Sequence, residues 1–240
     1  MSEGVAIVTG AGRGIGAAIA RRLAADGLTV TCADVDGAAA ASTAKECAQD
    51  STGVAVDVSR VPECERLVKE TVDRFGRLDV LVNNAGVNRD AMLHKMTDAQ
   101  WDEVIAVDLS GVFYMTRAAA RIMRERGSGR VINISSASWL GNVGQANYAA
   151  AKAGVVGLTL TAARELARYQ VTANAICPGF IDTAMTRSIP EKIYQQQLEK
   201  IPLGRVGRPE DVANVVSFLA SGDAAYVTGE IINVGGGYRI

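Results

Sequence analysis

Short apolar runs alternate with helix-like stretches along the whole chain, and this alternation restricts the fold more than any single motif. Val5–Val8 is apolar, and Ile15–Ala25 then spaces Ile15, Ile19 and Leu23 as a helix does. Thr29–Ala33 is β-rich and precedes the alanine-rich stretch Gly37–Ala48. The pattern continues through strand Val54–Val58, helix Glu63–Phe75, strand Val80–Val82, a long helix over Trp101–Arg124 and strand Arg130–Ile134. Helix Tyr148–Arg168, strand Val171–Ile176, helix Pro209–Ala220 and strand Glu230–Val234 complete it. Continuous apolar strands separated by helices bury both faces, which predicts a parallel sheet covered on each side. The expected fold is a doubly wound α/β domain.

The 240 residues suit one such domain, 1–240, with no repeat or linker to divide it. One stretch breaks the rhythm. Ala184–Arg205 is polar and contains Pro190 and Pro202, yet spaces Ile189, Ile193 and Tyr194 helically. Its length between a strand and a helix suits a substrate lid over about 184–205, with Met185, Ile189 and Tyr194 shaping the pocket.

Composition narrows the functional classes. Hydrophobic residues at 48% and charged ones at 21% exclude a disordered or collagen-like chain. Lys and Arg total 25 against 26 Asp and Glu, which leaves no basic footprint for nucleic acid. A single histidine, His94, removes any His-based triad and argues against a metal site; it reads as an ordinary loop residue. Cys32, Cys47, Cys64 and Cys177 lack metal-like spacing and read as reduced buried thiols. No apolar run approaches a membrane span, and MSEGVAIVTG has no secretory pattern, so a cytoplasmic chain without a membrane partner is expected.

Gly10, Gly12, Gly14 and Gly16 lie in TGAGRGIG, directly after the first strand and opening the first helix. The spacing is GxxxGxG, with Ile15 where GxGxxG would end. Glycines there permit a tight turn and let backbone approach a pyrophosphate at a helix N-terminus; a purely structural turn is the alternative. Asp34 follows the second strand, and a carboxylate there accepts hydrogen bonds from the ribose of NAD and repels the 2′-phosphate of NADP. Its alternative is helix capping, a role assigned instead to Asp36. Arg13, within the turn, would soften the preference for NAD by meeting a 2′-phosphate.

Tyr148 and Lys152 are four apart in NYAAAKAG and share one helix face. A phenol is a poor acid or base at neutral pH, and a nearby ammonium favours its phenolate. Ser135 and Ser136 follow a strand at the carboxyl edge of the expected sheet, where a hydroxyl can hold a substrate oxygen as charge develops. The three residue types make a proton-transfer site without histidine.

With these motifs in order, the chain resembles the short-chain dehydrogenase/reductase family over practically its whole length. The resemblance rests on TGAGRGIG at Thr9–Gly16, Asp57, NNAG at Asn83–Gly86, the serine, YAAAK at Tyr148–Lys152 and PG at Pro178–Gly179. It implies a Rossmann-type three-layer α/β/α fold of about seven strands. Family spacing, about 13 residues before the tyrosine, selects Ser135 over Ser136. Tyr148 would then be the general acid in reduction and the base in oxidation, Lys152 would lower its pKa and bind the nicotinamide ribose, and Ser135 would orient the carbonyl. Asp57 and Val58 would meet the adenine; Asn83, Ala85 and Gly86 would line the dinucleotide cleft. Ile181 and Thr183, after Pro178–Gly179, would contact the nicotinamide carboxamide.

Within the family, GNVGQANYAAAKAG, GRVGRPEDVANVVSFLAS and YVTGEIINVGGG look most like β-ketoacyl-acyl-carrier-protein reductases. That implies reduction of a 3-oxoacyl thioester carried on acyl carrier protein or CoA, and a homotetramer built partly on the long helices. Those reductases commonly use NADPH, whereas Asp34 points to NAD. Of their carrier-docking basic positions, Arg126 matches one; Tyr169, beside Arg168, stands at the other. The rival enzyme reading is an NAD-dependent dehydrogenase of small, cyclic or steroid-like secondary alcohols; the rival of another class is a non-catalytic NAD-binding scaffold. Finally, relatives usually carry asparagine where Asp108 stands, as part of a proton relay through the lysine. Asp108 is expected to shift the pH profile of catalysis; the alternatives are a protonated carboxyl that donates one hydrogen bond as asparagine does, and a tolerated substitution.

Overall fold

Residues 4–47, 50–187 and 189–238 are described by the structure, a computed structural model. Strands β1 (Val5–Thr9), β2 (Thr29–Asp34), β3 (Thr52–Ala55), β4 (Val80–Asn83), β5 (Gly129–Ile134), β6 (Val171–Pro178) and β7 (Ile231–Val234) form one sheet. All its pairings are parallel, in the order β3-β2-β1-β4-β5-β6-β7. The helices are α1 (Gly14–Ala25), α2 (Gly37–Glu46), α3 (Val61–Phe75), α4 (Asp98–Ile105), α5 (Gly111–Arg126), α6 (Ala146–Leu166), α7 (Ala184–Arg187), α8 (Glu191–Glu199) and α9 (Pro209–Ala220).

Side-chain alternation along each strand builds the three layers. Val8, Val82 and Ile132 point to one face and pack with Ile19 and Leu23 of α1, Ala40 of α2 and Val216 of α9. Ile7, Leu81 and Val131, one residue out of phase, point to the other and pack with Leu67 of α3, Met115 and Met123 of α5 and Leu166 of α6. The expected α/β architecture and its seven strands are therefore present. All four cysteines are buried and free. Among the described residues no helix is long and apolar enough to cross a membrane.

The third strand differs from expectation. It runs over Thr52–Ala55, not Val54–Val58. Val56 and Val58 are apolar because they bury against the α3 and α5 side of the core on the way out of the sheet, not because they pair in it. The long helix also differs. A capping box between Thr97 and Gln100 starts it earlier, at Asp98, and it passes through a π turn, Ala106–Ser110, before continuing as α5.

Segment 184–205 holds α7 and α8. The α8 helix buries no side chain and is anchored by Tyr194, whose ring meets Phe180 edge-on at 5.3 Å. A second anchor is the Tyr238 hydroxyl, which donates to Gln197 Oε1 at 2.5 Å. Ser188 and the side chain of Met185 lie outside the described residues, as do Ala48 at the end of the expected second helix and Met1–Glu3 at the N-terminus.

Candidate active site

The sheet order reverses at β1, which pairs with β2 on one side and β4 on the other, so a crevice opens beyond the carboxyl ends of β1 and β4. The glycine turn occupies it. Gly10 and Gly14 have φ of +64° and +57°, the left-handed region that glycine adopts without strain. A Cβ at Gly16 would lie 2.0 Å from the Gly10 carbonyl oxygen, and one at Gly12 would lie 2.9 Å from Asp34 Oδ2. Internal packing alone thus requires these two glycines. The space above Gly14 is different: a Cβ there would meet only Thr183, at 3.7 Å, across the crevice. No side chain caps α1, and its first turn holds no acidic residue, so its N-terminal amide dipoles face the crevice unneutralised. These features fit a dinucleotide pyrophosphate. Ile15 lies in that first turn, and Arg13 is exposed, with no ion pair among the described residues.

Asp34 ends β2 beside the turn. Its Oδ2 accepts the Gly12 N–H at 2.9 Å and its Oδ1 accepts the Asp36 N–H at 3.0 Å. Each oxygen keeps a lone pair for a ribose hydroxyl. Asp36 caps α2, accepting from Ala38 and Ala39 N–H groups.

NNAG divides its work. The Asn84 amide donates to the carbonyls of Thr9 and Gly10, each at 3.0 Å, and sews the glycine turn to β4. Asn83 points the opposite way: its amide donates to Thr116 and Asn133 within the core, and the side chain is shut off from the crevice. Asn84 is thus the asparagine whose side chain supports the crevice, a role that two adjacent identical residues do not reveal in sequence. Ala85 N–H donates to Thr9 Oγ1 at 3.1 Å, and Gly86 is exposed at the crevice wall. Asp57 accepts from the Ser59 hydroxyl at 2.6 Å and from the Arg60 guanidinium, and the Ser59 contact chiefly holds its carboxyl below the usual range. Val58 is buried beside it. On the far wall, β6 ends at Pro178; Gly179 packs against Gly235, Ile181 is buried, and the Thr183 N–H donates to Thr186 Oγ1 at 2.8 Å.

Tyr148 and Lys152 lie in the first two turns of α6. The ammonium sits 5.3 Å from the Tyr148 ring centre and donates to the Ile134 carbonyl at 3.2 Å. Burial drives the Tyr148 phenol pKa up, against the Lys152 charge that pulls it down. The serines part company. Ser135 is 2% exposed and its hydroxyl donates to the Lys152 carbonyl at 3.0 Å. The Ser136 hydroxyl is the one that reaches the Tyr148 phenol as a hydrogen-bond partner. The structure therefore brings Ser136, rather than the expected Ser135, to the tyrosine, because Ser135 still belongs to the sheet: its N–H donates to Ile176 at 2.7 Å. Asp108, on the π turn, is fully buried and lies 3.1 Å from Lys152 Nζ.

Elsewhere, His94 is exposed on a short 3-10 turn, away from any paired acid. Tyr169 is clamped between the guanidiniums of Arg124 and Arg168, each 4.7 Å from its ring, while Arg126 pairs with Asp79.

Comparison with known proteins agrees with this geometry. A family model described as "Enoyl-(Acyl carrier protein) reductase" matches residues 10–239. The (3R)-3-hydroxyacyl-CoA dehydrogenase of Mus musculus is 46% identical over 99% of this chain and 96% of its own length. The 3-oxoacyl-[acyl-carrier-protein] reductases of Thermotoga maritima and Synechocystis are 44% and 48% identical over 98% and 97% of the chain, and over 98% and 96% of their own lengths.

Proposed function

The chain belongs to the short-chain dehydrogenase/reductase family, and on that premise we propose that it interconverts 3-oxoacyl and 3-hydroxyacyl thioesters at the expense of NADH or NAD. The observation that carries this reading is the half-buried Tyr148 with the buried Lys152 ammonium beside its ring at the carboxyl edge of the sheet, next to a glycine turn that fits a pyrophosphate. A bound nicotinamide supplies or accepts the hydride. The protein handles the proton. Tyr148 donates it to the carbonyl oxygen in reduction and takes it back in oxidation, and the Ser136 hydroxyl holds that oxygen while charge develops. Ser135 fixes the backbone of Lys152 so that the ammonium stays beside the phenol. Gly10–Gly16 and the α1 N-terminus hold the pyrophosphate, Asp34 the adenosine ribose, Asp57 and Val58 the adenine, and Ile181 and Thr183 the carboxamide side.

NAD is preferred over NADP because Asp34 presents a carboxylate where a 2′-phosphate would sit. The acyl group arrives on acyl carrier protein or CoA, as the relatives' names indicate for those proteins, with segment 184–205 acting as the lid. The enzyme works in the cytoplasm as a homotetramer. The test is a panel of carbonyls and alcohols, including acetoacetyl-CoA, assayed with NADH and NADPH separately. Acetoacetyl-CoA should be reduced, and NADH should bind at least about tenfold better than NADPH, a difference of about 1.4 kcal/mol. Turnover of cyclic or steroid-like alcohols alone would overturn the substrate assignment, and tighter NADPH binding would overturn the role of Asp34.

A further inference from the structure

The proton-transfer tyrosine faces a lysine whose charge is already matched. Lys152 Nζ lies 3.1 Å from Asp108 Oδ2, and both side chains are almost wholly buried. The other oxygen, Oδ1, accepts the Val87 N–H at 2.8 Å. Oδ1 therefore meets a donor and Oδ2 faces the ammonium at ion-pair distance; burial pushes the Asp108 carboxyl up, while the Lys152 charge and then the Val87 N–H pull it back toward the ionised, paired form. The pairing is built by tertiary structure. The π turn places Asp108 in the interior, and a Cβ at Gly86 would come within 2.7 Å of Oδ2, so only glycine there leaves room for the carboxylate.

We propose that Asp108 is a positioning residue that neutralises Lys152 and so keeps the Tyr148 hydroxyl protonated, poising the site to give a proton to a carbonyl rather than to take one from an alcohol. An unpaired ammonium beside the ring would favour the phenolate; an ion pair of zero net charge favours it much less. The other groups facing the pair do not reverse this. Asp90, in the loop after β4, opposes ionisation of Tyr148 as Asp108 does, with part of its charge taken up by the Gln145 amide. Cys177 of β6 is buried and its thiol is pushed up, chiefly by burial, so it stays neutral beside Lys152. Ser136 donates toward the phenol and favours the phenolate modestly. On Lys152 itself burial disfavours the charge, yet Asp108 and then Tyr148 outweigh it and hold the ammonium above its ordinary value.

The inference rests on the reading of Tyr148 as the proton-transfer residue, and its test is independent of substrate. Tyrosinate absorbance of the full-length chain, without cofactor, is followed after pH jumps in the wild type and in Tyr148→Phe; the difference isolates Tyr148. The same pair is measured in an Asp108→Asn background. Tyr148 should ionise above the ordinary tyrosine value of about 10 in the wild type, and about one pH unit lower in Asp108→Asn. The pH midpoint of alcohol oxidation should move in the same direction. Superimposable Tyr148 titrations, or an upward shift in Asp108→Asn, would overturn the proposal. Should Asp108→Asn fail to fold, Asp108→Ser, uncharged and still able to accept the Val87 N–H, takes its place. A Tyr148 midpoint lower than in the wild type supports the proposal, and one equal or higher overturns it.

Discussion

Ser135 and Ser136 are neighbours, yet their hydroxyls serve different ends, because a backbone that still runs as a strand turns successive side chains to opposite faces. Ser135 shares the face of Asn133 and ties β5 to α6 through the Lys152 carbonyl, as Asn133 does through Thr159. Ser136 leaves the sheet toward Tyr148. Ser136→Ala should therefore cut kcat at least about tenfold, the cost of one hydrogen bond made as charge develops, and lower the melting temperature only by the loss of the cap on the Ser138 N–H. Ser135→Ala should cost about 1 kcal/mol of stability, from one buried hydrogen bond lost, with a smaller fall in kcat than Ser136→Ala. Steady-state kinetics and thermal melts of the two variants separate the roles. Tyr148→Phe should retain less than a tenth of the turnover while NADH binding stays within a few-fold, as titration of the cofactor would show. Counting back from the tyrosine pointed to Ser135, and that count transfers between proteins only when the intervening loop keeps its length. The glycines, Asp34, Tyr148 and Lys152 were legible because each follows from a strand end or a helix face. The Asn83–Asn84 division of labour was not, since only the partners in space distinguish the two.

At the scale of elements, legibility followed local chemistry. Pro209 at the first turn and Asp211, which accepts the Arg208 N–H at 2.7 Å, mark the start of α9 in sequence, and its bounds agree with the spacing. The third strand was displaced because valines that bury in a loop read like valines that pair. The π turn carries no local signal at all: its interior residue, Asp108, is held by Lys152 and Val87, which lie far along the chain. Capping gives the prediction here. Asp36 accepts two N–H groups at the start of α2, next to the turn that holds Asp34. Asp36→Ala should cost about 1 kcal/mol, lowering the melting temperature by about 2–4 °C without changing the preference for NADH over NADPH. Paired melts and cofactor titrations check both halves of that statement.

For the whole molecule, the crevice is assembled from separate walls: the glycine turn after β1, Asn84 after β4, Tyr148 on α6 and Thr183 after β6. A ligand that spans these walls binds the folded chain and not the unfolded one. NADH at a hundred times its Kd should therefore stabilise the protein by about 2.7 kcal/mol, read as a rise in denaturant midpoint at constant slope. Equal NADPH should give a smaller rise. The sheet order has a further consequence, which concerns the chain as it is made. The first strand synthesised, β1, ends in the middle of the sheet, and it gains its second neighbour only when β4 has emerged. Until Asn84 leaves the ribosome, the Thr9 and Gly10 carbonyls lack the amide that holds the glycine turn in shape. Tyr148 and Lys152 come later still, and Thr183, the residue facing Gly14, last of the four walls. A growing chain thus exposes the residues shaped for phosphate well before those placed to move a proton, and the crevice closes only when its last wall has been made.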